Sequence, residues 1–203
     1  MPIVLAAPEE VARNDSEALE RWYWKICNAN PDCPWELELN ERGELEIMPP
    51  PSPPGDEYEG GLYFELESWN RSRGSPGIAT GPIGAYRLPS GAVRVPDAAW
   101  APESVVSVSG GGPDRARNYV PDFVTEIRSR SDRLARLMGK MRVYMAAGVR
   151  LGWLIDPRER TVRVYRVGED EPELHRNPAV LDGEDVLPGF RFSVQRLIFE
   201  LKR

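Results

Sequence analysis

Three residues, in a fixed order, define the chemistry open to this chain. Asp97 follows a proline, Glu126 sits in the middle of an apolar run, and Lys140 is one of only 3 lysines against 23 arginines. Carboxylates are hard oxygen donors. Mg²⁺ or Mn²⁺ takes one or two of them and fills its remaining positions with water and substrate. A cation held this way neutralises charge on a phosphorane and lowers the pKa of an attacking water. An ammonium beside that water orients it and stabilises the transition state. The chemistry these residue types would support is metal-assisted phosphodiester hydrolysis, with Asp97 and Glu126 as metal ligands and the carbonyl of Ile127 as a further ligand position. The alternatives are a plain Pro-Asp turn at Asp97 and a solvated flank lysine at Lys140. Two cations compete for the water, Lys140 and Arg128, the latter two residues beyond Glu126 on the same strand face. A guanidinium does not readily give up a proton. Lys140 is thus the expected catalytic lysine, and Arg128 a supporting partner for a phosphate or carboxylate, or an ion-pair partner for Glu126.

Other chemistries lack their parts. With two cysteines, Cys27 and Cys33, and a single histidine, His175, the chain cannot supply a tetrahedral Cys/His zinc site. His175 lies in a polar, proline-flanked stretch that is a poor setting for a nucleophile–histidine pair. A Cys27–Cys33 disulfide is disfavoured in a reducing compartment.

The elements that must position the three residues can be read from periodicity. Residues 121–157 read as strand, turn, helix, strand. In 122–128, Phe123, Thr125 and Ile127 point one way and Val124, Glu126 and Arg128 the other. Ser131 or Asp132 is the expected cap of a helix running to Ala147, and Gly148 ends it. Leu134, Leu137, Met138, Met141 and Met145 form its core stripe, with Arg133, Arg136, Lys140 and Tyr144 along one flank. Strands follow at 151–155 and 161–167. Asp97 lies at the end of, or inside, the strand of residues 93–100. Upstream, residues 16–28 read as a helix capped by Ser16, with Leu19, Trp22, Tyr23 and Ile26 buried. Residues 35–39 and 44–48 alternate as a hairpin with one wet face. The proline run after Met48 is a stiff connector to a helix over 56–71. Residues 85–88 and 92–95 form a second hairpin, and 110–118 read as a substrate-ordered loop.

The chain has 203 residues, 41% of them apolar and 29% charged, which suits one soluble domain spanning 1–203. Residues 1–50 read as an N-terminal helix and hairpin, and 51–203 as the main core. No apolar run reaches the length of a membrane span, and the first residues lack the basic start of a secretory signal, so a cytoplasmic setting is expected. A net charge of −6 argues against a general nucleic-acid binder while leaving room for a local basic face. Trp22, Tyr23 and Trp24 suggest a self-association surface and a homodimer or higher homo-oligomer.

The ordered string Pro96-Asp97, Pro121-Asp122-Phe123-Val124-x-Glu126-x-x-Ser129-x-Ser131-Asp132, Lys140, Tyr144, Gly148 and Trp153-Leu154-Ile155-Asp156-Pro157 resembles the Uma2 family, a restriction-endonuclease family formerly known as a domain of unknown function. The likeness extends to GELEIMPPPSPPG and LDGEDVLPGF and so covers nearly the whole chain. It implies a branch of the PD-(D/E)XK nucleases: an α/β (α+β) restriction-endonuclease-like fold, with a mixed central sheet flanked by helices. It further implies Asp97 and Glu126 as the two acids and a Mg²⁺-dependent endodeoxyribonuclease acting on DNA. The lysine usual two residues after the glutamate is replaced by Arg128, and the resemblance implies its supply from the next helix as Lys140. A third acid from the early helix, Glu57 or Glu59, would complete the set. The alternative is a non-catalytic nucleic-acid-binding or regulatory module that keeps the fold; a purely structural oligomer-forming protein is the third class.

Overall fold

The computed structural model describes residues 2–11, 15–107 and 116–201. A short strand β1 (Ile3–Ala6) precedes helix α1 (Ser16–Ala29), and the hairpin strands β2 (Glu36–Leu39) and β3 (Glu44–Met48) follow. After the proline connector come α2 (Gly55–Ser72), β4 (Gly77–Thr80), the two-residue strands β5 (Tyr86–Arg87) and β6 (Val93–Arg94), and β7 (Ala98–Pro102). A single turn α3 (Glu103–Val106) leads on to β8 (Phe123–Ile127), α4 (Leu134–Ala147), β9 (Leu151–Asp156) and β10 (Thr161–Arg166). Three further strands, β11 (Glu173–Arg176), β12 (Leu181–Asp182) and β13 (Arg191–Phe192), precede a π-helical turn Gln195–Phe199.

Two sheets carry the fold. The larger has the order β11-β10-β9-β8-β7-β4 and is mixed: β8 and β9 run parallel and every other neighbour pair antiparallel. That parallel pair is joined by α4, the crossover that a parallel connection requires. The smaller sheet has the order β1-β3-β2-β6-β5, so the N-terminal hairpin continues into residues 86–94 through Leu39↔Val93.

Strand alternation sends β8 into two cores. Phe123 and Ile127 face α2 and the C-terminal residues, with Leu62, Leu66, Trp153, Phe190 and Phe192. Val124 faces α4 with Leu137, Met141, Tyr144 and Leu154. The fit against α4 explains Gly152 on β9: a Cβ there would stand 2.5 Å from Met141 Cε. The third core belongs to the smaller sheet, where Leu19 and Tyr23 of α1 pack on Leu39, Leu45 and Val93.

Several local expectations are corrected. Asp15, rather than Ser16, caps α1, its Oδ1 accepting from the amides of Glu17 and Ala18 at 3.0 Å each. Neither Ser131 nor Asp132 caps α4. Asp132 instead closes the preceding turn, accepting from Ser129 N at 3.0 Å and Ser129 Oγ at 2.6 Å, and α4 starts at Leu134. Gly148, at φ +106°, ends α4 as the sequence requires. Of the Trp22–Trp24 aromatics, only Tyr23 is taken fully into the core, and Trp22 and Trp24 are half-buried. Tyr23 is buried and donates to the carbonyl of Leu37 at 2.8 Å, while Trp22 and Trp24 pack against the third core. Residues 110–115 of the expected loop lie outside the described residues. Among the described residues no helix is long and apolar enough to cross a membrane.

Candidate active site

Lys140 is the centre of the site, and it is no flank residue. The buried stripe of α4 runs Leu137, Lys140, Met141, Tyr144, and Lys140 is 5% exposed. Leu134, Met138 and Met145 pack only partly buried beside it. An ammonium is tolerated at such depth only if its protons are matched, and they are. Lys140 Nζ lies 2.8 Å from Glu126 Oε1, 2.7 Å from Glu38 Oε1 and 3.0 Å from the carbonyl of Val95. Burial opposes its charge, but the Glu126 and Glu38 carboxylates outweigh that and hold its pKa above the ordinary lysine value. Lys140 is thus a fixed ammonium.

Glu126 enters from the middle of β8, 3% exposed. The hydroxyl of Tyr144 donates to its Oε1 at 3.1 Å. Asp97 stands just before β7 and is stitched to β8 by main-chain geometry. Its amide donates to the Thr125 carbonyl at 3.0 Å, and its Oδ2 accepts from the Ile127 amide at 2.5 Å.

Asp97, Glu126 and Lys140 line one cavity of about 310 Å³, together with Glu59 of α2 and Glu36 of β2. The carboxylates there outnumber the ammonium. Burial raises the pKa of Asp97 well above the usual carboxylate range, and repulsion from Glu126 and Glu59 adds to this. Glu126 is also raised, by burial, with Lys140 pulling the other way. Glu59 is pushed up to about 7 by burial and by Glu126 and Asp56. Glu36 is pushed up to about 8 by burial and by Glu38.

This donor chemistry fits a hard divalent cation. The ligands on offer are carboxylate oxygens, and their mutual repulsion is what such an ion would relieve. Among the described residues no three His, Cys, Asp or Glu side chains form a ready metal cluster. Mg²⁺ has no need of one, because it usually keeps several waters and takes only one or two carboxylates.

The expected residues divide. Asp97, Glu126, Lys140 and Glu59 come together. Glu57 is exposed and absent from the cavity lining. Arg128 forms no pair with Glu126: its Nη1 donates to the fully buried Asp156 at 2.7 Å, and its Nε donates to the carbonyl of Asp132 at 3.3 Å. The physical reason is the sheet register: Ile127 pairs with Ile155 and the Arg128 amide donates to the Ile155 carbonyl at 2.8 Å, which sets Arg128 beside Asp156 at the end of β9.

Glu38 went unrecognised in the sequence. Its Oε2 accepts from Arg94 at 2.8 Å and its Oε1 from the Val95 amide at 2.7 Å, and it is fully buried beneath Lys140. Arg94 also donates to Glu46 and Glu41 at 2.9 Å each. Despite burial, Lys140 and Arg94 hold the Glu38 pKa below its ordinary value. The hairpin's supposed wet face is therefore the buried anchor of the lysine. The available signal was Arg94, a charged residue in the apolar hairpin of residues 85–95.

A mixed sheet flanked by helices, with acids gathered at the start of β7 and the middle of β8, defines a restriction-endonuclease-like fold. The family model described as "Putative restriction endonuclease" matches residues 16–195, and the chain belongs to that family, Uma2. Among solved structures it is similar to a protein from Anabaena variabilis ATCC 29413 titled a putative nuclease belonging to DUF820. The likeness has a TM-score of 0.67 at 20% identity and covers 80% of this chain and 89% of that one. No curated protein gives a significant match.

Proposed function

We propose that the protein is a divalent-metal-dependent endonuclease that hydrolyses phosphodiester bonds of DNA. The observation that carries this reading is the single cavity in which Asp97, Glu126 and the buried ammonium of Lys140 face one another. Asp97 and Glu126 would hold Mg²⁺ or Mn²⁺, with Glu59 the acid nearest to joining them. When bound, the metal supplies Lewis-acid activation of water and neutralises phosphate charge.

The rest belongs to the chain's own groups. Lys140 stays protonated through the reaction, so its role is electrostatic: it fixes Glu126 and presents positive charge beside the reacting phosphate. Tyr144 and Glu38 are positioning residues, acting on Glu126 and Lys140. Asp97 is held to β8 by one main-chain bond and one from the Ile127 amide to its own carboxylate, so the placement of the two acids follows the sheet register rather than a loop. A homodimer would offer two such clefts to the two strands of a duplex.

The test is cleavage of plasmid DNA by purified protein with Mg²⁺ or Mn²⁺, alongside calorimetric titration of Mn²⁺. Cleavage and metal binding that both vanish in Asp97→Asn support the reading. Wild-type protein that takes up no metal and cuts neither DNA nor RNA refutes it, and tight DNA binding without cleavage would favour a non-catalytic binding module.

A further inference from the structure

The cleft does not end at the acids. A second cavity of about 190 Å³ adjoins the first, sharing Ser52, Glu59, Ile127, Ser129 and Arg130 with it. Its outer wall is formed by Arg130, in the turn between β8 and α4, and Arg158, in the turn between β9 and β10. Both side chains are exposed. The opposite wall is the proline connector and the first turn of α2, from Ser52 to Tyr58, a segment stiffened by its prolines.

The arginines of this cleft are of two kinds. Arg128 and Arg136 are committed to Asp156 and Asp132 at 2.7 Å and 2.8 Å. Arg130 and Arg158 have no carboxylate within ion-pair distance among the described residues. Among the described residues Arg158 makes one side-chain bond, a long 3.4 Å donation to the carbonyl of Arg130. That bond spans the two turns and, among the described residues, leaves both guanidinium groups without a carboxylate partner. The cleft thus carries both signs: surplus carboxylate at Asp97, Glu126 and Glu59, and unpaired guanidinium at Arg130, where the two cavities meet, and at Arg158, which lines only the second.

A polyanionic strand needs this polarity. The phosphate at the acids can be approached only with a cation present, whereas phosphates flanking it are bound by arginine directly. We infer that Arg130 and Arg158 form the subsite for the DNA backbone next to the reacting phosphate, gripping it without reading bases. This rests on the nuclease reading above. The stiff Ser52–Tyr58 wall then faces the sugar and base side of the strand.

The test is binding rather than cleavage: fluorescence anisotropy of a short labelled DNA duplex, in EDTA, across a salt series. Each phosphate contact contributes about 0.9 to the slope of log affinity against log salt. The Arg130→Ala/Arg158→Ala double variant is expected to lower that slope by about 2, while Arg130→Lys/Arg158→Lys retains most of it. Arg191→Ala, on β13, is the control and should leave the slope unchanged. Wild-type binding with an unaltered slope in the double alanine variant would overturn the subsite while leaving the nuclease reading intact. No wild-type binding even at low salt would overturn the subsite, while the nuclease reading stands or falls on the cleavage and Mn²⁺ titration described above. Both arginines are exposed, and unchanged thermal melting of the variants would show that folding is unaffected.

Discussion

Two glutamates from two different sheets hold the same lysine, and their surroundings make them opposites. Glu38 comes from β2 of the smaller sheet, fully enclosed, and accepts from Arg94, Lys140 and the Val95 amide. Glu126 comes from β8 of the larger sheet, shares Lys140, accepts from the Tyr144 hydroxyl, and faces a cavity lined by Asp97 and Glu59. The first carboxylate has more positive partners than it needs, and its pKa falls; the second has too few, and its pKa rises. A buried charge that is fully matched is a structural part. One left short of positive charge, beside open space, is a place for a ligand to supply it.

The largest expected effect comes from breaking the matched side. Glu38→Ala leaves Arg94 and Lys140 buried without their shared counter-charge, and should cost about 3–5 kcal/mol, the usual penalty for removing one partner of a buried ion pair. Urea denaturation measures it; a loss under about 1 kcal/mol would mean that Glu38 is no anchor.

Glu126→Gln should behave in the opposite way. It removes a repelling charge as well as a partner of Lys140, and the amide oxygen still accepts from Lys140 and Tyr144, so its stability cost should be smaller than that of Glu38→Ala while metal-dependent cleavage falls by about 10²-fold or more. Parallel measurement of melting and cleavage rate separates the two glutamates directly.

A smaller effect is expected in the pH profile of the metal-free protein. Glu59 titrates at about 7 when folded, above its ordinary value of 4.5. The folded state therefore binds more protons than the unfolded state between those values, and the stability this confers is complete below about 4.5 and lost as pH rises through about 7. Glu36, at about 8, acts in the same direction. Glu38 and Asp132, with lowered values, act only at more acid pH. Melting temperature without metal should fall between pH 5 and 8, Mn²⁺ should reverse the fall, and Glu59→Gln should shrink it. A flat profile would show that the acids do not repel one another as the geometry requires.

The smallest effect is expected at Glu57. It is exposed and outside the cavity lining, so Glu57→Gln should leave Mn²⁺ affinity unchanged, whereas Glu59→Gln should weaken it. Calorimetry on both variants assigns the third acid.

Much of this comparison can be read in the linear chain. The apolar alternation of residues 123–127, the helix ended by Gly148 and the second apolar strand specify a β-α-β unit by local rules alone. The order Asp97, Glu126, Lys140 marks a candidate metal chemistry. Those features depend on periodicity and side-chain type, which neighbours in sequence determine. The burial of Lys140, the choice of Asp156 over Glu126 by Arg128, and the role of Glu38 depend on tertiary structure. In the hairpin, Glu36 and Glu38 alternate with Leu37 and Leu39 as any half-wet strand would. A carboxylate can occupy the dry side only where enough positive charge meets it, and Arg94 and Lys140 reach Glu38 only after two sheets and a helix have closed around it.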